Sequence, residues 1–135
     1  MTGYLLDTNI LSDLMRRPAG PAARRLAEVG EDGVATSVVV AAELRYGAAR
    51  LGSPRLTARV EALLRELPVL AFEPPADARY GALRAALEAA GTSIGGNDML
   101  IAAHALASGR TMVTANRRAF DRVEHLPVEN WLEAG

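Results

Sequence analysis

The chain contains no cysteine and no lysine. Without cysteine there is no disulfide framework, no thiolate metal site and no thiol nucleophile, a composition suited to a reducing compartment. All 15 basic residues are arginine, which excludes Schiff-base lysines, lysine general bases and the phosphate-binding lysine of P-loops. Arginine, alanine, glycine and proline share GC-rich codons, so genome base composition accounts for the missing lysine, and the chemical exclusion holds either way. Long apolar stretches are missing as well. The run Val38-Val-Val-Ala-Ala42 falls far short of the ~20 residues a membrane span requires. A basic excess is absent, the net charge being −1. The opening Met1-Thr-Gly-Tyr-Leu-Leu-Asp7 carries no basic, apolar or small-residue pattern of an export signal, so a cytoplasmic location is expected.

What is present is a regular alternation. The length of 135 residues suits one domain over 1–135, with a radius of about 14 Å. Tyr4-Leu-Leu6 reads as a short strand ending at Asp7, and Ile10, Leu11, Leu14 and Met15 then recur at helical spacing. Pro18 and Gly20 break that helix, and Pro21 opens a second one. A strand over 34–36 leads to Ser37, a cap for a helix from 38 to 51, with Glu43 in its second turn. Leu56, Val60, Leu63, Leu64 and Leu67 form one apolar stripe of the next helix. A strand over 68–72 and a helix with Tyr80, Leu83, Leu87 and Ala90 inward follow. A helix from Asn97 to Ser108, a strand over 111–114 and a last strand or tail over 128–132 complete the chain. Strands alternating with helices imply a parallel sheet covered on both faces, hence an α/β three-layer sandwich of four to five short strands.

Open α/β sheets bind ligands beyond the carboxyl ends of their strands, near the point where strand order reverses. That rule gathers Asp7, Glu43, Asp98 and Asn116 onto one rim. Each also has an ordinary role open to it. Asp7 and Asp98 can cap helices, Glu43 can pair with Arg45 or Arg50, and Asn116 can sit in a turn. Glu61, Glu66 and Glu88, set among arginines on helices, read as solvated faces. Carboxylates without cysteine or paired histidine are hard oxygen ligands, which implies Mg²⁺ or Mn²⁺ rather than zinc. His104 and His125 have no second histidine three or four residues away and read as packing or surface residues. No Gly-x-Ser-x-Gly turn exists for a serine hydrolase. Three acids around divalent metal suit phosphodiester hydrolysis. The pairs Arg16-Arg17, Arg24-Arg25 and Arg117-Arg118, with Arg122, can contact nucleic-acid phosphates or simply keep the surface solvated.

Four stretches in order resemble the motifs of PIN-domain ribonucleases, specifically the VapC toxins of bacterial type II VapBC toxin–antitoxin systems. They are Leu5-Leu-Asp-Thr-Asn-Ile10, Ala42-Glu-Leu-Arg-Tyr-Gly47, Asn97-Asp-Met-Leu-Ile-Ala-Ala-His-Ala105, and Val113-Thr-Ala-Asn116 with Phe120 and Val128-Glu-Asn-Trp131. The resemblance implies that Asp7, Glu43 and Asp98 are metal-binding catalytic acids, with Asp7 and Asp98 the most direct ligands. Asn116 stands where that family often has aspartate, so its amide would orient water or a ligand carboxylate, assisted by Thr114 or Asn9. Also implied are a Mg²⁺-dependent endoribonuclease that inhibits translation by cutting transfer or ribosomal RNA, a VapB antitoxin that covers the active site, and toxin dimers within the complex. The first hairpin, with Leu11, Leu14 and Met15, is the expected partner surface. Two other readings stay open: a non-catalytic PIN-like RNA-binding module with a decayed metal site, favoured by Asn116, and an acyl-phosphate phosphotransferase using Asp7, disfavoured by the missing lysine.

Overall fold

A computed structural model describes residues 3–133. Strand β1 (Gly3–Leu6) pairs in parallel with β2 (Val34–Ser37) on one side and β4 (Arg110–Val113) on the other. Strands β3 (Val69–Leu70) and β5 (Val128–Glu129) form the edges, giving the order β3-β2-β1-β4-β5, parallel throughout. Leu5 and Leu6 on the central strand are fully enclosed, as expected of a strand covered on both faces. Around the sheet lie α1 (Thr8–Arg16), α2 (Pro21–Val29), α3 (Val38–Leu51), α4 (Pro54–Glu66), α5 (Ala76–Ala90), α6 (Gly96–Ala107) and the short α7 (Arg117–Phe120). One hydrophobic cluster joins both faces, with Ile10, Val40, Val60, Ile101, Met112 and Phe120 among its members.

Local chemistry explains the boundaries. Asp7 caps α1, Ser37 caps α3 by accepting from the Val39 N–H at 3.0 Å, and Ser53 caps α4 by accepting from the Leu56 N–H at 3.1 Å. Gly52 and Gly91 end α3 and α5 in the left-handed conformation. At the amino end of β1 the chains approach so closely that a Cβ on Gly3 would lie 2.6 Å from the Gly33 carbonyl oxygen.

Several expectations shift. The third strand shrinks to Val69–Leu70 because it is an edge, flanked by Pro68, with no further neighbour to extend its ladder. The fourth strand covers Arg110–Val113, which leaves Thr114 just past its end though still donating its N–H to the Glu129 carbonyl at 2.9 Å, and the last strand is only Val128–Glu129. Ala90 is exposed, while Leu83 and Leu87 turn inward. Leu11 belongs to the core rather than to a partner surface, whereas Leu14 and Met15 remain partly open.

Candidate active site

From β1 the chain builds outward through β2 to β3, then returns to the other side of β1 with β4. The reversal therefore falls between β1 and β4, where the helices following two adjacent strands diverge and leave a crevice. Asp7 is the first residue beyond β1, and its backbone N–H donates to the Val113 carbonyl at 2.9 Å. The residue is 4 % exposed.

Asp7 is both a cap and a site residue. Its Oδ1 accepts from the Thr8 N–H at 2.8 Å, and its Oδ2 accepts from Thr114 Oγ1 at 2.7 Å and from Asn9 Nδ2 at 3.4 Å. Glu43 comes from α3 and pairs with neither Arg45 nor Arg50. Thr8 Oγ1 donates to its Oε1 at 2.6 Å and Asn97 Nδ2 to its Oε2 at 3.2 Å, while Arg45 is taken by Glu61. Asp98 sits in the first turn of α6 but makes no capping hydrogen bond, so that alternative falls.

The electrostatics tie the three acids together. Burial, then the charges of Asp7 and Glu43, push the Asp98 carboxyl up to about 6. Burial also raises Asp7, opposed by the hydrogen bonds from Thr114, Thr8 and Asn9 and reinforced by the Glu43 charge. Among the described residues, every ion pair engages some other acid, such as Asp13, Glu61 or Asp121. The rim thus concentrates negative charge that no arginine or histidine offsets. Hard carboxylate oxygens with neutral supports suit Mg²⁺ or Mn²⁺. Among the described residues, however, no group of three or more acids or histidines is drawn tightly enough to close around one ion. Mutual repulsion works against such closure until a cation is present. The donor chemistry of the rim fits a divalent ion.

Asn116 reaches the rim only through its backbone, its N–H donating to Thr114 Oγ1 at 2.9 Å; its exposed side chain makes no cap bond. Arg117 faces Asp121 at 3.5 Å and Arg122 donates to the Ser93 carbonyl at 3.1 Å, whereas Arg118 is exposed. His104 is core: its Nδ1 lies 2.8 Å from Ser37 Oγ, and burial lowers its pKa. Sequence reasoning missed the parts played by Thr8 and Asn97. The available signal was a hydroxyl or amide residue directly beside an acid, in Asp7-Thr8-Asn9 and Asn97-Asp98.

A doubly covered parallel sheet with acids converging at its switch point defines a class, and the chain belongs to it: residues 4–126 match the PIN domain family. Within that family it belongs with the VapC ribonucleases. It is 39 % identical to ribonuclease VapC2 of Haemophilus influenzae over 98 % of this chain and 100 % of that one. It is 34 % identical to the tRNA(fMet)-specific endonuclease VapC of Shigella flexneri, covering 97 % of this chain and 99 % of that one. The crystal structure of DNA-bound VapBC from Salmonella typhimurium superposes with a TM-score of 0.89 at 32 % identity, covering 97 % of this chain and 99 % of that one.

Proposed function

We propose that the chain is a metal-dependent endoribonuclease, the toxin of a VapBC-type toxin–antitoxin pair, that hydrolyses phosphodiester bonds of structured RNA and so inhibits translation in the cytoplasm. The observation carrying this reading is the convergence of Asp7, Glu43 and Asp98 at the switch point, with no cationic partner among the described residues. Asp7 and Asp98 would hold Mg²⁺, or Mn²⁺ in its place. The ion supplies neutralisation of the phosphate oxygens and a more acidic water. Glu43, held at both oxygens, would orient the attacking water, and Asn116 lines the side of the rim next to Thr114. Attack by water at phosphorus with cleavage of the P–O3′ bond leaves 5′-phosphate and 3′-hydroxyl ends. Transfer RNA is the favoured substrate class, given a relative that bears the name of a tRNA-specific endonuclease; ribosomal RNA is the other.

Arg117, Arg118 and Arg122 lie just past Asn116 and are proposed to contact RNA phosphates, Arg118 foremost because Arg117 and Arg122 already have protein partners. A VapB-type antitoxin would silence the site by placing a basic side chain among the acids, where the cation belongs. A second toxin copy in that complex would find exposed apolar side chains along α3, at Val38, Tyr46 and Leu51. The test is incubation of antitoxin-free protein with cellular RNA in Mg²⁺ and in chelator, with mapping of the ends. Cleavage only with metal, giving 5′-phosphates, is expected. No cleavage in either Mg²⁺ or Mn²⁺ would leave the RNA-binding module with a decayed site as the better account.

A further inference from the structure

We infer that Thr8 is a positioning residue of the candidate active site, a neutral bridge that fixes Glu43 relative to Asp7; this rests on the functional reading above. Thr8 is the first residue of α1 and holds two acids at once. Its backbone N–H donates to Asp7 Oδ1 at 2.8 Å, and its hydroxyl donates to Glu43 Oε1 at 2.6 Å. The two acids are brought together from β1 and α3, and Thr8 is the residue bonded to both. On the far side of Glu43, Asn97 donates to Oε2 at 3.2 Å and is the residue before Asp98. A continuous path therefore runs Asp7, Thr8, Glu43, Asn97, with Asp98 next in the chain.

The chemistry of the tethers is the telling part. Every side chain that donates to Asp7 or Glu43 is a hydroxyl or an amide: Thr8, Asn9, Asn97 and Thr114. An arginine would hold Glu43 equally firmly, yet it would cancel the charge that attracts a divalent cation and would itself compete for the site. A neutral donor orients the carboxylate and leaves its charge in place. The branched threonine side chain adds stiffness, since few χ1 rotamers are open to it. A bond of 2.6 Å from hydroxyl to ionised oxygen is of the short, charge-assisted kind. Because the Asp7 arm of the bridge uses the backbone N–H, substituting the side chain cuts only the Glu43 arm.

The experiment is a Mn²⁺ titration by calorimetry and steady-state RNA cleavage on the parent, Thr8→Val, Thr8→Ser, Glu43→Ala and the Thr8→Val/Glu43→Ala double variant. Loss of an outer-shell partner is expected to lower Mn²⁺ affinity and kcat for Thr8→Val by about 10-fold or more, with KM little changed. Thr8→Ser keeps the hydroxyl and should return both toward the parent. In the Glu43→Ala background Thr8→Val should have almost no further effect, because Thr8 acts through Glu43. Thermal melting in chelator separates this from misfolding, and a Thr8→Val chain that fails to melt cooperatively is replaced by Thr8→Ala. Parental Mn²⁺ affinity in Thr8→Val, an equal loss with and without Glu43, or no rescue by serine would overturn the assignment. A parent that binds no Mn²⁺ and cleaves no RNA would instead bring down the functional reading, and the bridge with it.

Discussion

The two ends of β1 treat charge in opposite ways. At the amino end the Arg110 guanidinium donates to the Gly33 carbonyl at 2.5 Å and to that of Tyr4 at 3.3 Å, across a contact that leaves no room for a Cβ on Gly3. The cation is satisfied and the packing is tight. At the carboxyl end, four residues along, Asp7 lies near Glu43 and Asp98, and among the described residues the groups that donate to Asp7 and Glu43 are all neutral. One end of the same strand is optimised for stability, while the other retains repulsion that a purely structural rim would have removed. Sites that carry function are where such local conflict persists.

The strongest way to break this contrast is to remove an acid. Asp7→Asn should reduce RNA cleavage by several kcal/mol of barrier, on the order of 10²–10³-fold, while leaving the fold intact; gel-based cleavage rates beside a melting curve check both halves. At the opposite end the effect should reverse in kind. Gly3→Ala forces its methyl against the Gly33 carbonyl, so urea unfolding should show a loss of about 1–3 kcal/mol, with cleavage per folded molecule unchanged.

Smaller, and more diagnostic, is the pH dependence of stability. Burial beside Asp7 and Glu43 pushes the Asp98 carboxyl from its ordinary 3.8 up to about 6 in the folded chain, so the folded state binds its proton more tightly than the unfolded state does. Its contribution to folding is fully present below the unfolded value and is lost as pH rises through about 6. Asp98→Asn should therefore stabilise the metal-free protein near neutral pH by about 1–2 kcal/mol, after discounting for partial exposure. The gain should fade toward zero by about pH 4. A gain independent of pH would mean that burying the Asp98 charge beside Asp7 and Glu43 is not its source. The smallest effect belongs to the surface. Arg118→Ala should weaken RNA binding and lower the slope of log affinity against log salt by about 1, whereas Arg117→Ala, whose guanidinium already faces Asp121, should change it less.

Much of this arrangement was legible in the residues. The run into Asp7, the helix opening around Asn97 and the Ser37 cap are local signals, set by bonds to near neighbours, and they survive in the fold. Edges were less legible: the third strand is cut to two residues by what lies beside it in the sheet, not by its own apolar run. The inward face of the first hairpin is also hidden from the sequence, since Leu11 looks like part of a surface stripe until α2, α3 and α4 pack against α1. Among the site residues, the acids could be nominated from their positions after strands. Their supports could not, because Thr8 finds Glu43 across 35 positions and Asn97 finds it across 54. The only local hint was an amide or hydroxyl beside each aspartate.

The claim at the centre is that the carboxyl end of β1 is a cation site held by Asp7 and Asp98, and its most direct test is Mn²⁺ binding by calorimetry without RNA. The parent should bind Mn²⁺, Asp7→Asn and Asp98→Asn should each lose about 10-fold or more in affinity, and Glu61→Gln, an acid paired with Arg45 elsewhere on the surface, should bind as the parent does. Parental affinity in Asp98→Asn, or an equal loss in Glu61→Gln, would contradict it.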